Sequence, residues 1–177
     1  MTQRLDFGRL EKFGFAYPNA LCVVDVRERA EPILFANDAF CTLTRYSREQ
    51  LLGHSCRMLQ APETSAQGRG VLRAAIDART STVVDLINAR PNGTRYLNRI
   101  AVFLVDDTHA VGFQHEVTDL PSARWIEAPL EGARAEKLAA LETEVMASLR
   151  AILSGEALDY SSLCDQLVAL SRRLHQL

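Results

Sequence analysis

The stretch Gly53-His54-Ser55-Cys56-Arg57-Met58-Leu59-Gln60 decides how this 177-residue chain is read. Just before it, Ser47-Arg48-Glu49-Gln50 has the spacing of a capping box, in which serine and glutamine side chains satisfy free backbone N–H groups at a helix start. That helix has barely two turns, because Gly53 stands where a glycine cap would end it. A lone cysteine in an apolar chain is most often a small buried hydrophobe. Cys22, Cys41 and Cys164 are expected to be packing residues of that kind. Cys56 has no evident base beside it, since His54 is two residues away and no helix-paired histidine is present. Ground-state thiolate chemistry of the cysteine-protease type therefore has little support.

Outward from this segment the pattern is that of an α+β domain. Upstream, Leu5 to Tyr17 carries Leu5, Leu10 and Phe13 at roughly helical spacing, with Pro18 as a stop. Leu21 to Val26 is a β-branched run, Arg27 to Glu31 a turn, and Ile33 to Ala36 the returning strand of a hairpin. Asp38 to about Ala78 reads as broken helix, its longest piece from Val71 to Ala78, with Gly68 and Gly70 disfavouring an earlier start. Strand character resumes at Thr82 to Ala89, Arg95 to Val105 and Ala110 to Val117. The separators Pro91-Asn92-Gly93-Thr94 and Asp106-Asp107-Thr108-His109 are turn chemistry. Two strands, short helices, then three strands predict an antiparallel sheet rather than a doubly wound parallel one.

After Asp119 the composition changes. Pro121 and Pro129 bracket a linker, and a helix is expected from about Glu131 to Leu153, ended by Gly155. A second helix, capped by Asp159 or Ser161, carries Leu163, Leu167, Leu170, Leu174 and Leu177 in steps of four and three. Burying such side chains is worth roughly 1.5–3 kcal/mol each. The stripes therefore demand a cover: the other tail helix, the domain itself, or a second chain. We expect a homodimer through the terminal helices, with an intramolecular hairpin as the opposing arrangement.

Composition excludes several classes. Hydrophobic residues make up 47% of the chain, enough for a folded core, and the formal charge of -2 comes from acidic and basic residues mixed along the sequence. No basic stripe suits nucleic acid, and no apolar run approaches a membrane span. The polar N-terminus, Met1 to Asp6, does not read as a signal sequence. The four cysteines lack CxxC spacing and histidine partners, which argues against a zinc site or disulfide framework. No metal is expected, and a cytoplasmic location is the default.

The octamer resembles the signature Gly-x-Asn-Cys-Arg-Phe-Leu-Gln of light-oxygen-voltage (LOV) domains, a branch of the PAS superfamily. Phe35-Ala36-Asn37-Asp38-Ala39-Phe40 and Leu43-Thr44-Arg45-Tyr46-Ser47 look like the stretch that precedes the signature, and Pro62-Glu63-Thr64 like the one that follows. The resemblance covers about Pro18 to Asp119. It implies a PAS/LOV fold: a five-stranded antiparallel sheet with short helices on one face, an N-terminal helical cap (1–17), the flavin-binding domain (18–119), and a linker with helices for dimerisation or signalling (120–177). By the same resemblance Asn88, Asn98 and Gln114 are three amides that read the flavin edge, Arg57 and Arg73 bind its phosphate, and Gln60 and Ser55 contact the cofactor. Cys56 would bond reversibly to ring carbon C4a under blue light, with the proton passing to ring nitrogen N5. Gln114 would answer that protonation by rotating its amide.

Physical chemistry agrees with these assignments. Neutral amides both donate and accept, and so match an edge of carbonyl acceptors and an N–H donor without adding charge. Asn88 and Asn98 lie five residues either side of Gly93. An odd-length loop centred there sets them opposite each other on one face, whereas a two-residue Asn92-Gly93 turn puts them on opposite faces. Guanidinium groups present a planar fork suited to phosphate. The sequence departs from the LOV pattern at Ser55 for Asn, Met58 for Phe and Arg45 for Gly, and the last hairpin is short. Ser55 loses reach toward the flavin ribityl chain.

The expected function is a blue-light photoreceptor carrying FMN, not an enzyme, with light altering self-association or binding of a signalling partner. The tail lacks the basic face of a DNA-reading helix-turn-helix. The alternatives are a flavin-dependent redox sensor or enzyme, and a PAS module that binds another ligand and serves for dimerisation; fold alone does not separate them.

Overall fold

The computed structural model describes residues 6–119, 125–155 and 159–177. Leu5 of the expected first helix and Pro121 of the linker lie outside the described residues. Within them, five strands form one antiparallel sheet in the order β2-β1-β5-β4-β3: β1 Ala20–Asp25, β2 Ile33–Ala36, β3 Thr82–Ala89, β4 Arg95–Leu104 and β5 His109–Glu116. The expected α+β architecture is present.

Alternation along the strands sends successive side chains to opposite faces, and each face has its own cover. The inner face meets α2 (Asp38–Thr44), α3 (Arg48–Leu51), a single 3-10 turn (Cys56–Leu59) and α4 (Ala66–Ala78). The outer face, with Leu21, Val23, Val83, Ala101, Phe103, Val111 and Phe113, packs against α1 (Phe7–Ala16), α5 (Gly132–Ser154) and α6 (Tyr160–His175). Both tail stripes are therefore satisfied within one chain: Leu149, Ile152, Leu167 and Leu174 are all at most 1% exposed. The burial demand from which a homodimer was expected is met by the chain's own sheet, which is the opposing arrangement.

Local signals explain the element ends. Ser47 and Gln50 form the capping box expected of them. Gly155 caps α5 in the left-handed region, and Asp159, rather than Ser161, caps α6. α4 differs from expectation, since it starts at Ala66, capped by Ser65, and runs through both glycines. The reason is tertiary: a Cβ on Gly68 would stand 2.8 Å from Leu86 Cδ2, so the missing side chain lets α4 lie directly on β3. Arg45 adopts φ +63° as the cap of α2, a left-handed conformation that explains why a glycine suits this position.

Candidate functional site

The Cys56 turn is held at both ends by backbone. Ser55 bridges to Pro32 before β2, and His54 C=O accepts from Ile33 N–H at 2.9 Å. At the far end Gln60 bridges to Asn88 of β3, and Ala61 N–H donates to Ile87 C=O at 3.2 Å. Ser55 caps the turn by accepting from Arg57 N–H at 3.3 Å. The turn thus spans the sheet and carries Cys56 over its inner face.

Beneath it lies a cavity of about 390 Å³, within the range of small-molecule sites. Seven expected residues line it: Ser55, Cys56, Arg57, Gln60, Arg73, Asn88 and Gln114. Asn98 does not line the cavity. It is fully buried between the other two amides and donates from Nδ2 to Asn88 Oδ1 at 2.8 Å and to Gln114 Oε1 at 2.6 Å.

The hairpin explains this cluster and corrects its register. Ala89 pairs with Arg95, so residues 90–94 form an odd-length loop, and Asn88 and Asn98 share a face as parity requires. The loop is centred on Asn92, not Gly93, however. Asn88 therefore pairs with Tyr96 and Asn98 with Leu86, which makes the two amides diagonal neighbours rather than direct partners. Gln114 pairs with Ile100 on the neighbouring strand, diagonal to Asn98 on the other side.

Cys56 is half-buried as a residue and packs in the same inner-face cluster as Cys22, whose thiol acts on its own. That contact and burial push its pKa well above the ordinary thiol range. The sulfur is kept protonated, and so is equipped to deliver a proton along with itself rather than to act as a resting thiolate. Cys22, expected to be a packing residue, is buried but also functional in position: Gln114 Nε2 donates to its Sγ at 3.4 Å. Period-two alternation on β1 places it on the inner face; only the pairing of β1 with β5 brings it to Gln114.

The opposite end of the cavity is cationic and open. Arg57 and Arg73 converge on Glu31, Arg57 Nη2 at 3.2 Å from Oε2 and Arg73 Nη1 on Oε1, and Arg73 also pairs with Asp77. Arg29 and Arg69 also line the cavity. The sequence reading missed these two and Glu31. Arg69, one helical turn before Arg73, was open to detection by spacing. Arg29 and Glu31 were not, since they sit in a turn. Between the ends lie Leu59, Leu72, Ile76, Leu86 and Ile100. An apolar slot with amides and a thiol at one end and guanidinium groups at the other suits a flat aromatic ring bearing a polar edge and an anionic tail. Among the described residues no cluster of side chains is fit to hold a metal ion, and no helix is long and apolar enough to cross a membrane.

Sheet order, a turn laid across the inner face and a cavity between them define the PAS fold. Residues 18–119 match the PAS domain family, and the chain belongs to it. The resemblance to LOV domains agrees with its relatives. The chain is 36% identical over 110 residues to blue-light-activated histidine kinase 1 of Erythrobacter litoralis, covering 59% of this chain and 31% of that protein. It is 42% identical over 76 residues to Phototropin-1A of Oryza sativa subsp. japonica, covering 43% of this chain and 8% of that one. The chain thus spans less than a third of either relative. The crystal structure of a Rhodobacter sphaeroides LOV protein superposes with a TM-score of 0.66 over 97% of this chain and 93% of that one. At 23% identity that likeness speaks for the fold alone.

Proposed function

We propose that this chain is a blue-light receptor module that holds FMN in the cavity and bonds it reversibly through Cys56. The observation that carries the reading is the convergence of the Cys56 thiol, the Asn88–Asn98–Gln114 cluster and two arginine forks on one slot. The slot fits the group by its own chemistry. Asn98 Oδ1 is buried without a partner, an acceptor left for a rearranged amide network. The four arginines that line the cavity outnumber Glu31 and Asp77 by two charges, the complement of a phosphate monoester dianion and a reason to favour FMN over a larger flavin.

Bound flavin supplies the absorption of blue light and a ring that is electrophilic and basic when excited. Cys56, held protonated over the cavity, would supply the rest: a sulfur to bond to the ring and a proton to pass to it, both returning in the dark. Gln114 is the reporter. Its Oε1 accepts from Asn98 and its Nε2 donates to Cys22, so a rotation of the amide turns both contacts into mismatches. The change is thereby shared with Asn98 and β4. Arg57, Arg73, Gln60 and Ser55 hold and orient the cofactor. We assign no catalysis to the module. Its output is a change in the docking of α5 and α6, and through it in self-association or partner binding; a homodimer through the terminal helices then requires these helices to loosen from their own sheet.

One observation favours a second reading, a redox sensor: Cys22 and Cys56 share one cluster on the inner face, and their thiols act on each other. The same experiment separates the two. Flavin-supplemented wild-type protein should bleach in blue light and recover in darkness. Cys56→Ala should keep fold and flavin yet lose reversible bleaching entirely, staying yellow and fluorescent. Cys22→Ala, Cys41→Ala and Cys164→Ala should bleach and recover, at altered rates at most. A thiol adduct in Cys56→Ala sinks the photoreceptor assignment, and loss of bleaching in Cys22→Ala as well points to the paired-thiol reading.

A further inference from the structure

Glu31 stands where an anionic tail would enter. Its carboxylate occupies both guanidinium groups that the proposed function gives to the flavin phosphate, Arg57 through Oε2 at 3.2 Å and Arg73 through Oε1. Its side chain is 13% exposed, so these pairs are better shielded than those on the open surface. The backbone underlines the placement. Glu31 has φ +52°, one of three non-glycine residues in the left-handed region among those described, and its N–H donates to Glu28 C=O at 2.9 Å in the turn. Arg57 Nη2 also donates to Arg29 C=O at 2.9 Å, which ties the same turn to the same arginine.

We infer that Glu31 is an internal competitor for the flavin phosphate, so that FMN binding is an exchange of one anion for another. Glu31 and a phosphate dianion cannot both lie between Arg57 and Arg73 without like-charge repulsion. Entry of the phosphate therefore requires the carboxylate to turn toward solvent or toward Arg29. The residue lowers affinity for phosphorylated flavin specifically, because riboflavin, which ends in a hydroxyl, makes no claim on the forks. Left without a phosphate, the arginines remain paired rather than mutually repelling, and the cofactor-free chain keeps its cavity ordered.

This inference rests on the flavin reading, and the test distinguishes the two. The full chain, stripped of flavin, is titrated with FMN and with riboflavin while flavin fluorescence is followed, for wild type, Glu31→Gln and Glu31→Gly. The glycine variant removes the carboxylate and also suits the positive φ, which guards against a folding defect in the glutamine variant. Both variants should tighten FMN by about tenfold, the scale of one partly shielded charge contact, and leave riboflavin affinity unchanged. An unchanged FMN affinity overturns the inference, and so does an equal gain for both flavins, which would place the effect in the turn rather than at the phosphate. Weaker FMN binding overturns it too, since Glu31 would then be organising the forks. Failure of wild type to bind either flavin removes the functional reading along with the inference.

Discussion

The two faces of the sheet are built from the same strands and solve opposite problems. On β4 and β5, Asn98 and Gln114 point inward while Arg99 and His115, their immediate neighbours, point outward. The inner face keeps polar groups buried around a cavity, with Asn98 Oδ1 and the Tyr96 hydroxyl unpartnered. On the outer face a buried ion pair between strands is fully engaged. Arg99 meets Asp85 through Nε at 2.7 Å and Nη2 at 2.8 Å, Asp85 Oδ2 accepts from Ile126 N–H at 3.0 Å, and Arg99 Nη1 donates to His175 C=O at 2.7 Å. Around it lies the continuous apolar layer of the tail helices. Stability is concentrated on one side of the sheet and adaptable hydrogen bonding on the other, and alternation along two strands couples them.

The sharpest way to break that contrast is Asp85→Asn. The substitution keeps the shape but leaves the Arg99 charge buried without its carboxylate, which typically costs about 3–5 kcal/mol. Chemical denaturation should show a loss of that size, while the folded protein keeps its flavin and its bleaching. A loss below about 1 kcal/mol would mean that water reaches Arg99 and that the outer face is not the sealed layer described.

The same contrast marks what the sequence could reveal. Strand positions and the parity that puts Asn88 and Asn98 on one face follow from turn chemistry and period two. The exact register does not, because residues 90–94 close the hairpin around Asn92 by the hydrogen bonds Arg90 N–H to Thr94 C=O and Gly93 N–H to Arg90 C=O. The start of α4 was hidden because glycine propensity argues against a helix, whereas Gly68 is there for packing on Leu86. The leucine stripes of α5 and α6 were legible as stripes, but a stripe does not name its cover. Cys22 and Glu31 were missed for one reason: their roles come from partners far along the chain, Gln114 for the first and Arg57 and Arg73 for the second.

A gentler perturbation of the outer face is acid. His175 on α6 stacks on His115 of β5, with ring centroids 4.3 Å apart, and lies by the Arg99 guanidinium. Burial, the His115 ring and Arg99 push the His175 pKa down to about 3, and burial and Arg99 lower that of His115, against which only Glu116 acts. Both histidines are thus held neutral in the fold. Their contribution is fully present above the unfolded value near 6.5 and is lost as pH falls below it toward 3. Between pH 7 and pH 5 the chain should lose about 2 kcal/mol of stability, and His175→Phe should remove most of that slope. A profile as steep in His175→Phe as in wild type would place the acid-sensitive group elsewhere.

The smallest effect on stability, and the most informative about coupling, is expected from Gln114→Leu. Leucine matches the volume and costs about 1 kcal/mol, since Asn98 Nδ2 keeps its bond to Asn88 and loses only the one to Gln114. Cys56 is untouched, so bleaching and recovery should persist. What should disappear is the message to the tail. In wild type, rotation of the Gln114 amide disturbs Asn98 and Cys22 on the inner face, and the next residue, His115, carries the displacement of β5 to His175 on α6. Hydrogen exchange in α6 should therefore rise on illumination of wild type, and light scattering under the same light should report any change in self-association. In Gln114→Leu both signals should stay at their dark values while the flavin still bleaches. If α6 loses protection in the variant as it does in wild type, the two faces are coupled through another strand, and the turn that carries Cys56, bridged directly to β3 at Asn88, becomes the route to examine.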